Sequence, residues 1–254
     1  MPGSLLLRNR LNSSERAQLD SEGYVILPGL LTAEACTSLT TSLQRIAHRV
    51  DGDTKGSGQA IYGHYAAEHD SYLASLIGHP QMLGLAQSAL GPNLRYDHCV
   101  ALNRKPGFSG LRWHSHPYSD GDPNLRFLRI FFYVNGFTSE DSALQVVPGS
   151  HHFRDSLPER LTDQELQAQW LPGKVHPATG KPLRIERLRA AERSVVLTWT
   201  HLFHGVTANT RQHGTRWTVV YGYRNPGEPS PSRWISESFE HSAPADAKGL
   251  MSLY

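Results

Sequence analysis

Apolar residues recur at helical spacing through the first third of the chain. Residues 13–20 predict a first helix with Ser13 at its N-cap. A second helix begins after Thr32, and a third, at residues 80–90, has proline at its start and glycine just after its end. The second helix has one apolar stripe, formed by Leu39, Leu43, Ile46, Ala47 and Val50. Residues 1–94 therefore predict a helical lead-in to the rest of the chain.

From residue 95 the pattern changes to short apolar or alternating runs separated by glycine and proline. Predicted strands are residues 96–103, 126–134, 144–147, 194–199 and 217–223, besides one around His114 and His116. The run 126–134 is apolar almost throughout, which indicates a central strand covered on both faces. Short strands after a helical lead-in predict a mainly β fold with helices, a jelly-roll barrel buttressed by the N-terminal helices.

The pattern also predicts how the chain is organised. We expect a single domain over residues 1–254, with a barrel core at about 95–225. A polar insertion at about 154–192 interrupts the strands, and residues 226–254 form a C-terminal tail. The sequence carries no signal for an oligomeric state.

Composition narrows the class of protein. The 254 residues carry a formal net charge of +2 with both signs interspersed, so neither a nucleic-acid nor a membrane partner is expected. The two cysteines do not suggest a disulfide framework. Since no secretory signal or membrane-length apolar run is present, we expect a cytoplasmic protein with a small-molecule substrate.

Three histidines suggest a metal site. His114 and His116 lie two residues apart in a predicted strand, where side chains at this spacing share a face. A third, His204, lies far along the chain beside another predicted strand. Two close ligands and one distant ligand can hold a mononuclear metal at the mouth of a barrel and leave positions open for substrate and O₂. Because 14 residues are histidine, the close pair alone is weak evidence.

Several motifs together resemble one family. They are the segment at residues 23–36, the approach at residues 102–107, Trp113-His114, the Pro-Gly-Ser-His turn at residues 148–151, and His204-Gly205 followed by Asn209 and Arg216. In this order they are similar to the phytanoyl-CoA dioxygenase-like (PhyH) branch of the Fe(II)/2-oxoglutarate oxygenases. The resemblance implies a double-stranded β-helix of the jelly-roll, cupin-like type that uses Fe(II), 2-oxoglutarate and O₂. The implied reaction is oxidation of a small organic substrate, most often hydroxylation, with secondary metabolism as one setting.

The chain departs from this family at the metal. The family has His-x-Asp before the distal histidine, whereas the aspartate position here holds His116. Three explanations are open, in this order of preference: His114, His116 and His204 form a three-histidine site; Asp120 or Asp122 supplies a carboxylate; or His116 does not bind the metal.

The resemblance also suggests residues for the cosubstrate. Arg216 corresponds to the arginine that binds the far carboxylate of 2-oxoglutarate, and Arg211 is a less favoured substitute. Asn103, with its neighbour Arg104, and Thr218 are further candidates. Three aromatic residues are weaker candidates for substrate contacts, namely Tyr62, Trp113 and Tyr118. We expect His151 and His152 to make structural hydrogen bonds and His98 to be packed in the core.

The expected function is therefore a 2-oxoglutarate-dependent dioxygenase whose substrate the sequence does not identify. Two alternatives remain: a three-histidine iron oxygenase that does not use 2-oxoglutarate, and a non-catalytic jelly roll that binds a metal or a small acid.

Overall fold

A computed structural model of the protein describes residues 3–116, 118, 125–154 and 160–252. Its helices are α1 Ser13–Glu22, α2 Ala33–Gly52, α3 Ala66–His69, α4 Ser71–Leu76, α5 Pro80–Leu90, α6 Asp163–Glu165, α7 Glu237–Ser242 and α8 Ala245–Lys248. Its strands are β1 Tyr24–Leu27, β2 Arg95–Arg104, β3 Leu111–His114, β4 Phe127–Tyr133, β5 Leu144–Val146, β6 Glu186–Arg187, β7 Ser194–Trp199, β8 His204–Val206 and β9 Arg216–Arg224. Helices thus dominate before residue 95 and strands after it, as predicted.

The helix ends follow from local hydrogen bonding. Thr32 caps α2 by accepting from the backbone of Ala35, as expected, but α2 continues to Gly52. The N-cap of α1 is Asn12, and the prediction of Ser13 was wrong. Asn12 and Glu15 each accept a backbone hydrogen bond from the other, and this capping box makes Ser13 the first helical residue. In the described part of the chain, no helix has both the length and the apolarity that a lipid bilayer requires.

Two antiparallel sheets form the β part of the fold. Among the described residues the larger sheet has the order β1-β7-β4-β9-β2, and the smaller has the order β3-β8-β5-β6. Strand β4 is central, as its apolar sequence predicted. Strand β8 was not predicted, because three residues are too few for a periodic pattern. The mixed helical and sheet architecture confirms the predicted jelly-roll class.

The helices cover the outer face of the larger sheet. Alternate residues of β4, Leu128, Ile130 and Phe132, are buried against this helical layer. Residues from the opposite face, including Phe131 and Tyr133, join a second cluster with Leu144 of the smaller sheet. The space between the sheets is therefore lined by residues 129, 131 and 133 of β4 and by their neighbours on β2 and β9.

Two segments outside the regular strands complete the fold. The predicted insertion at residues 154–192 places Leu161 beside Trp113, and their backbones exchange hydrogen bonds of 2.8 and 3.2 Å. The predicted tail at residues 226–254 packs on the main core through Ile235, Ala247 and Met251. The division of the chain into a single domain with these parts stays a prediction.

Candidate metal centre

The ends of β3 and β8 bring two of the predicted histidines together. His114 is the last residue of β3 and pairs directly with His204, the first residue of β8, after a register shift in β3. Gly205 permits this close approach, because a Cβ there would lie 3.1 Å from the Leu111 carbonyl oxygen and 3.4 Å from the Trp113 ring. The glycine that follows the distal histidine therefore has a packing role at the site.

His116 joins them in a different way from that expected. Strand β3 ends at His114, so simple strand alternation does not place His116. Its backbone N–H donates to the Thr200 carbonyl oxygen at 3.0 Å, which fixes the chain beyond the strand. One ligand nitrogen from each of His114, His116 and His204 lies within 4.8 Å of the other two. The structure thus brings the three predicted ligands to one point.

Backbone carbonyls orient two of the imidazoles. Nδ1 of His114 lies 2.8 Å from the Arg112 carbonyl oxygen, and Nδ1 of His204 lies 2.8 Å from that of Leu202. A carbonyl oxygen can only accept a hydrogen bond, so both Nδ1 atoms carry hydrogen and both Nε2 lone pairs are free to bind a metal. This arrangement fits a divalent metal such as Fe(II).

Arg129 contacts the third imidazole. Its Nη1 donates to Nε2 of His116 at 2.7 Å, and its Nη2 donates to the Tyr118 hydroxyl at 3.4 Å. The Nε2 lone pair of His116 cannot serve the guanidinium and a metal at once. If this nitrogen binds a metal, Arg129 must move aside. The alternative ligands Asp120 and Asp122 lie outside the described residues.

The pH dependence of metal loading follows from burial. Burial lowers the pKa of His114 to about 4, and it lowers the pKa of His116 and His204 well below the ordinary value. Only neutral imidazole binds a metal, so each ligand stays competent until the pH falls through its lowered pKa. We therefore expect Co(II) loading to be constant from pH 7 to about pH 5, whereas ordinary imidazoles would begin to lose metal near pH 6.5. Absorbance titrations at stepwise pH measure this, and a loss centred near pH 6.5 would contradict it.

Arg216 occupies a buried position on the inner face of β9. It shares this face with Thr218 and Val220, since residues two apart in a strand point the same way. Arg216 is 3% exposed, and none of its guanidinium nitrogens has a hydrogen-bond partner. The guanidinium lies 5.2 Å from the Tyr133 ring centroid and 5.5 Å from that of Phe137. Burial lowers the pKa of Arg216, and the nearby Tyr133 opposes this effect.

An unpartnered buried guanidinium fits a carboxylate ligand. The Thr218 hydroxyl, also buried and without a partner, lies on the same face and can add a hydrogen bond. Arg211 already has an anionic partner, because it pairs with Asp141 at 3.2 Å, and its side chain is 53% exposed. These observations favour Arg216 over Arg211 as the cosubstrate arginine.

The prediction that Asn103 of β2 contacts 2-oxoglutarate has to be corrected. Asn103 lies on the outer face, in a narrow apolar groove against Leu43 and Ile46 of α2. Its neighbour Arg104 lies on the inner face and pairs in register with Arg216. Asn103 therefore does not face the site, whereas Arg104 does. Two buried guanidinium groups so near each other make this end of the cavity strongly attractive to an anion.

A cavity of about 160 Å³ lies between the sheets beside the three histidines. Its wall is formed by His64, His98, Val100, Leu102, Arg104, Leu111, His114, His116, Arg129, Phe131, Tyr133, Leu144, His204, Val206, Val220 and Trp234. The wall is mostly apolar, with a few basic side chains and no carboxylate among the residues described. A small organic molecule fits such a space.

The three predicted aromatic substrate contacts lie outside this wall. Trp113 is on the opposite face of β3 from His114, and its indole donates to the Asp163 carboxylate at 2.7 Å. Tyr62 packs against the main core and lies edge-on to His69. Tyr118 is buried with Phe127, and it reaches the site through Arg129 and through its ring, which lies 5.5 Å from that of His116.

Four residues of the wall were missed or undervalued at the sequence level. His64 and Trp234 stack with ring centroids 4.1 Å apart, although they lie far apart in the sequence. Nothing local in the sequence predicts such a pairing. Arg129 had a signal, because it is a lone charge in the central apolar strand. His98 is buried as expected, but it also lines the cavity.

A larger groove of about 440 Å³ elsewhere on the molecule does not contain the three histidines. His151 and His152 line it, and their Nε2 atoms hydrogen-bond the carbonyl oxygens of Asp20 and Ser21 at 3.1 and 3.3 Å. These are the structural hydrogen bonds that the sequence predicted. The groove therefore offers no comparable chemistry.

A jelly roll that presents imidazoles at one point beside a buried arginine defines a class, the non-haem metal-dependent oxygenases. The family comparison agrees, since residues 19–217 match the model of the phytanoyl-CoA dioxygenase (PhyH) family. The chain belongs to this family, as the motifs predicted.

The individual relatives described next share at most 30% of their aligned residues with this chain. The ectoine dioxygenase of Stutzerimonas stutzeri is 30% identical over 171 residues, which are 60% of this chain and only 56% of that protein. The ectoine dioxygenase of Sphingopyxis alaskensis is 26% identical over 78% of this chain and 71% of its own length. The structure of HygX from Streptomyces hygroscopicus with nickel and 2-oxoglutarate bound superimposes with a TM-score of 0.63, at 17% identity and 94% coverage of both chains. That neighbour binds the cosubstrate predicted for this chain.

Proposed function

We propose that this protein is an Fe(II)- and 2-oxoglutarate-dependent oxygenase that hydroxylates a small organic substrate. His114, His116 and His204 hold the metal, and Arg216 binds the far carboxylate of 2-oxoglutarate. The observation that carries the proposal is the buried guanidinium of Arg216, which has no hydrogen-bond partner and lies beside Tyr133 of the cavity wall. Membership of the family and the ligands of HygX support it.

When bound, Fe(II) would activate O₂ for attack on a substrate C–H bond, and 2-oxoglutarate would supply two of the electrons that reduce O₂ as it is converted to succinate and CO₂. The protein itself positions the metal ligands and the cosubstrate, and it keeps water out of the site. The Leu202 and Arg112 carbonyls hold two imidazoles in the tautomer that a metal needs. Arg216 and the Thr218 hydroxyl orient the cosubstrate, while Phe131, Leu144 and Val206 exclude water.

Succinate release tests the proposal. Purified protein loaded anaerobically with Fe(II) should form succinate from 2-oxoglutarate slowly on exposure to O₂, even without a second substrate. Oxygen uptake without succinate would favour a three-histidine oxygenase that ignores 2-oxoglutarate. Iron binding with neither reaction would favour a binding protein without turnover.

The role of His116 has its own prediction. His116→Ala should lose most of the bound iron, because two imidazoles alone hold Fe(II) weakly, whereas His116→Asp should retain it through a carboxylate. Iron content is measured in both variants and in an Asp120→Ala, Asp122→Ala double variant. If only the double variant lost the metal, the third ligand would be Asp120 or Asp122 and not His116.

A further inference from the structure

A buried hydrogen-bond network holds His98 in the wall of the cavity. Its Nδ1 lies 2.8 Å from the Asp97 carboxylate, and the Ser230 hydroxyl donates to the same oxygen at 2.6 Å. Arg224 lies 3.7 Å from the other carboxylate oxygen. Burial raises the pKa of Asp97, but the hydrogen bonds from His98 and Ser230 outweigh it and lower the pKa overall. Asp97 is therefore an ionised acceptor.

This network determines what His98 offers the cavity. Since Asp97 accepts the Nδ1 proton, the neutral imidazole carries a lone pair on Nε2. Burial keeps His98 neutral by lowering its pKa, although Asp97 opposes the effect. His98 is 1% exposed, and its Nε2 has no hydrogen-bond partner. A buried acceptor without a donor is unfavourable unless a ligand supplies one.

A glycine on β9, the strand between β2 and β4, makes room for this imidazole. Gly222 lies opposite His98 on one side and opposite Arg129 on the other, so the three residues form one row across β2, β9 and β4. A Cβ on Gly222 would lie 2.5 to 2.8 Å from three atoms of the His98 ring. Glycine weakens a strand interior, and here the missing side chain lets the His98 ring lie directly over the β9 backbone.

On the other side of Gly222, Arg129 is a positively charged hydrogen-bond donor, whereas His98 offers an acceptor. No described carboxylate forms an ion pair with it, and its Nε has no hydrogen-bond partner. Among the described residues its guanidinium hydrogen-bonds to His116 and to the Tyr118 hydroxyl. A partly buried guanidinium without an anion is a binding site for one.

This row is separate from the cosubstrate arginine. Gly222 and Arg216 are six residues apart on β9, a separation of about 20 Å along an extended strand. A five-carbon dicarboxylate is much shorter, so one molecule seated on Arg216 does not also fill the row. At the row's own end of the cavity, His64 and Trp234 stack and Trp234 lies 5.4 Å from the His98 ring. They form a flat aromatic wall there.

We propose that His98, Gly222 and Arg129 form the recognition site for the oxidised substrate, and that this substrate is a small carboxylic acid with a nearby amino or hydroxyl group. The carboxylate binds Arg129, the N–H or O–H group donates to Nε2 of His98, and the carbon skeleton lies against Trp234. Asp97 and Ser230 are positioning residues that act through His98. This assignment rests on the proposed function, because it takes the histidine centre as the place of oxidation.

The experiment is calorimetric titration of the protein loaded with Ni(II) and 2-oxoglutarate, in which no turnover occurs. The probes are the twenty common L-amino acids and the 2-hydroxy acids with the same side chains. Each is compared with its methyl ester, which lacks the carboxylate, and with the acid that lacks the amino or hydroxyl group. At least one parent acid should bind, and both of its analogues should bind roughly tenfold more weakly or worse.

Variants assign each difference to a residue. Arg129→Met should remove the preference for acid over ester, and His98→Leu should remove the preference for the amino or hydroxyl group. Gly222→Ala, which crowds the imidazole, and Ser230→Ala should reduce the second preference while leaving the first. Arg211→Met removes a surface cation and should change neither. If His98→Leu does not fold, Gly222→Ala and Ser230→Ala still test the acceptor.

Four results would overturn the assignment. The first three are no binding by any parent acid up to about 10 mM, binding confined to neutral or cationic compounds, and an acid preference that survives in Arg129→Met. Weakened 2-oxoglutarate binding in Arg129→Met, with no effect on the probes, would give Arg129 to the cosubstrate and would also overturn it. Failure of the proposed function is distinguished by failure to bind Ni(II) or 2-oxoglutarate at all. In that case the same titrations on metal-free protein test whether His98, Gly222 and Arg129 bind the acids without the metal and 2-oxoglutarate.

Discussion

His204→Ala is expected to abolish iron binding and oxygenase activity while leaving the fold intact. His204 is the ligand on β8, directly opposite His114, and no other described histidine can take its place at the centre. The side chain contributes little to packing of the main core, so the unfolding transition should remain cooperative. Iron content by elemental analysis and succinate release measure the two losses.

The matched control is His213→Ala, which removes an exposed histidine outside the centre. Its iron content should equal that of the wild type. Full iron occupancy in His204→Ala would show that the metal, if bound, lies elsewhere.

Arg216→Met should weaken 2-oxoglutarate binding by roughly 2–4 kcal/mol, the scale for losing a buried charge-assisted pair. The same variant should be no less stable than the wild type without ligands, because it replaces an unpartnered buried charge with an apolar side chain. Calorimetry with 2-oxoglutarate and urea denaturation measure the two effects. Together they separate loss of a ligand contact from loss of the fold.

Arg211→Met is the control, since Arg211 is half exposed and already paired with Asp141. It should leave 2-oxoglutarate binding unchanged. An affinity unchanged in Arg216→Met would move the role to Arg104, or would remove 2-oxoglutarate from the proposal.

Much of the fold could be predicted because its signals are local. The stripe of α2 and the doubly covered β4 are both visible as spacing of apolar residues. The Asn12 cap was missed because two adjacent residues, Asn12 and Ser13, are both good caps, and only the reciprocal bond with Glu15 decides between them.

The site was predictable in part. The motif order indicated His114, His116, His204 and Arg216, but strand register decided what each neighbour does. Asn103 and Arg104 are adjacent, and only the pairing of β2 with β9 turns Arg104 inward and Asn103 outward. His64 meets Trp234 through tertiary packing alone, which no spacing rule reports.

The two arginines in the cavity wall affect how the protein should respond to buffer anions. Arg104 and Arg129 face a space whose described lining includes no aspartate or glutamate, so small anions are attracted into it. Charges enclosed in this way are screened little by dissolved salt, unlike charges on the surface. Inhibition should therefore depend on which anion a buffer contains more than on ionic strength. Phosphate or sulfate should inhibit at concentrations where a bulky sulfonate buffer of equal ionic strength does not.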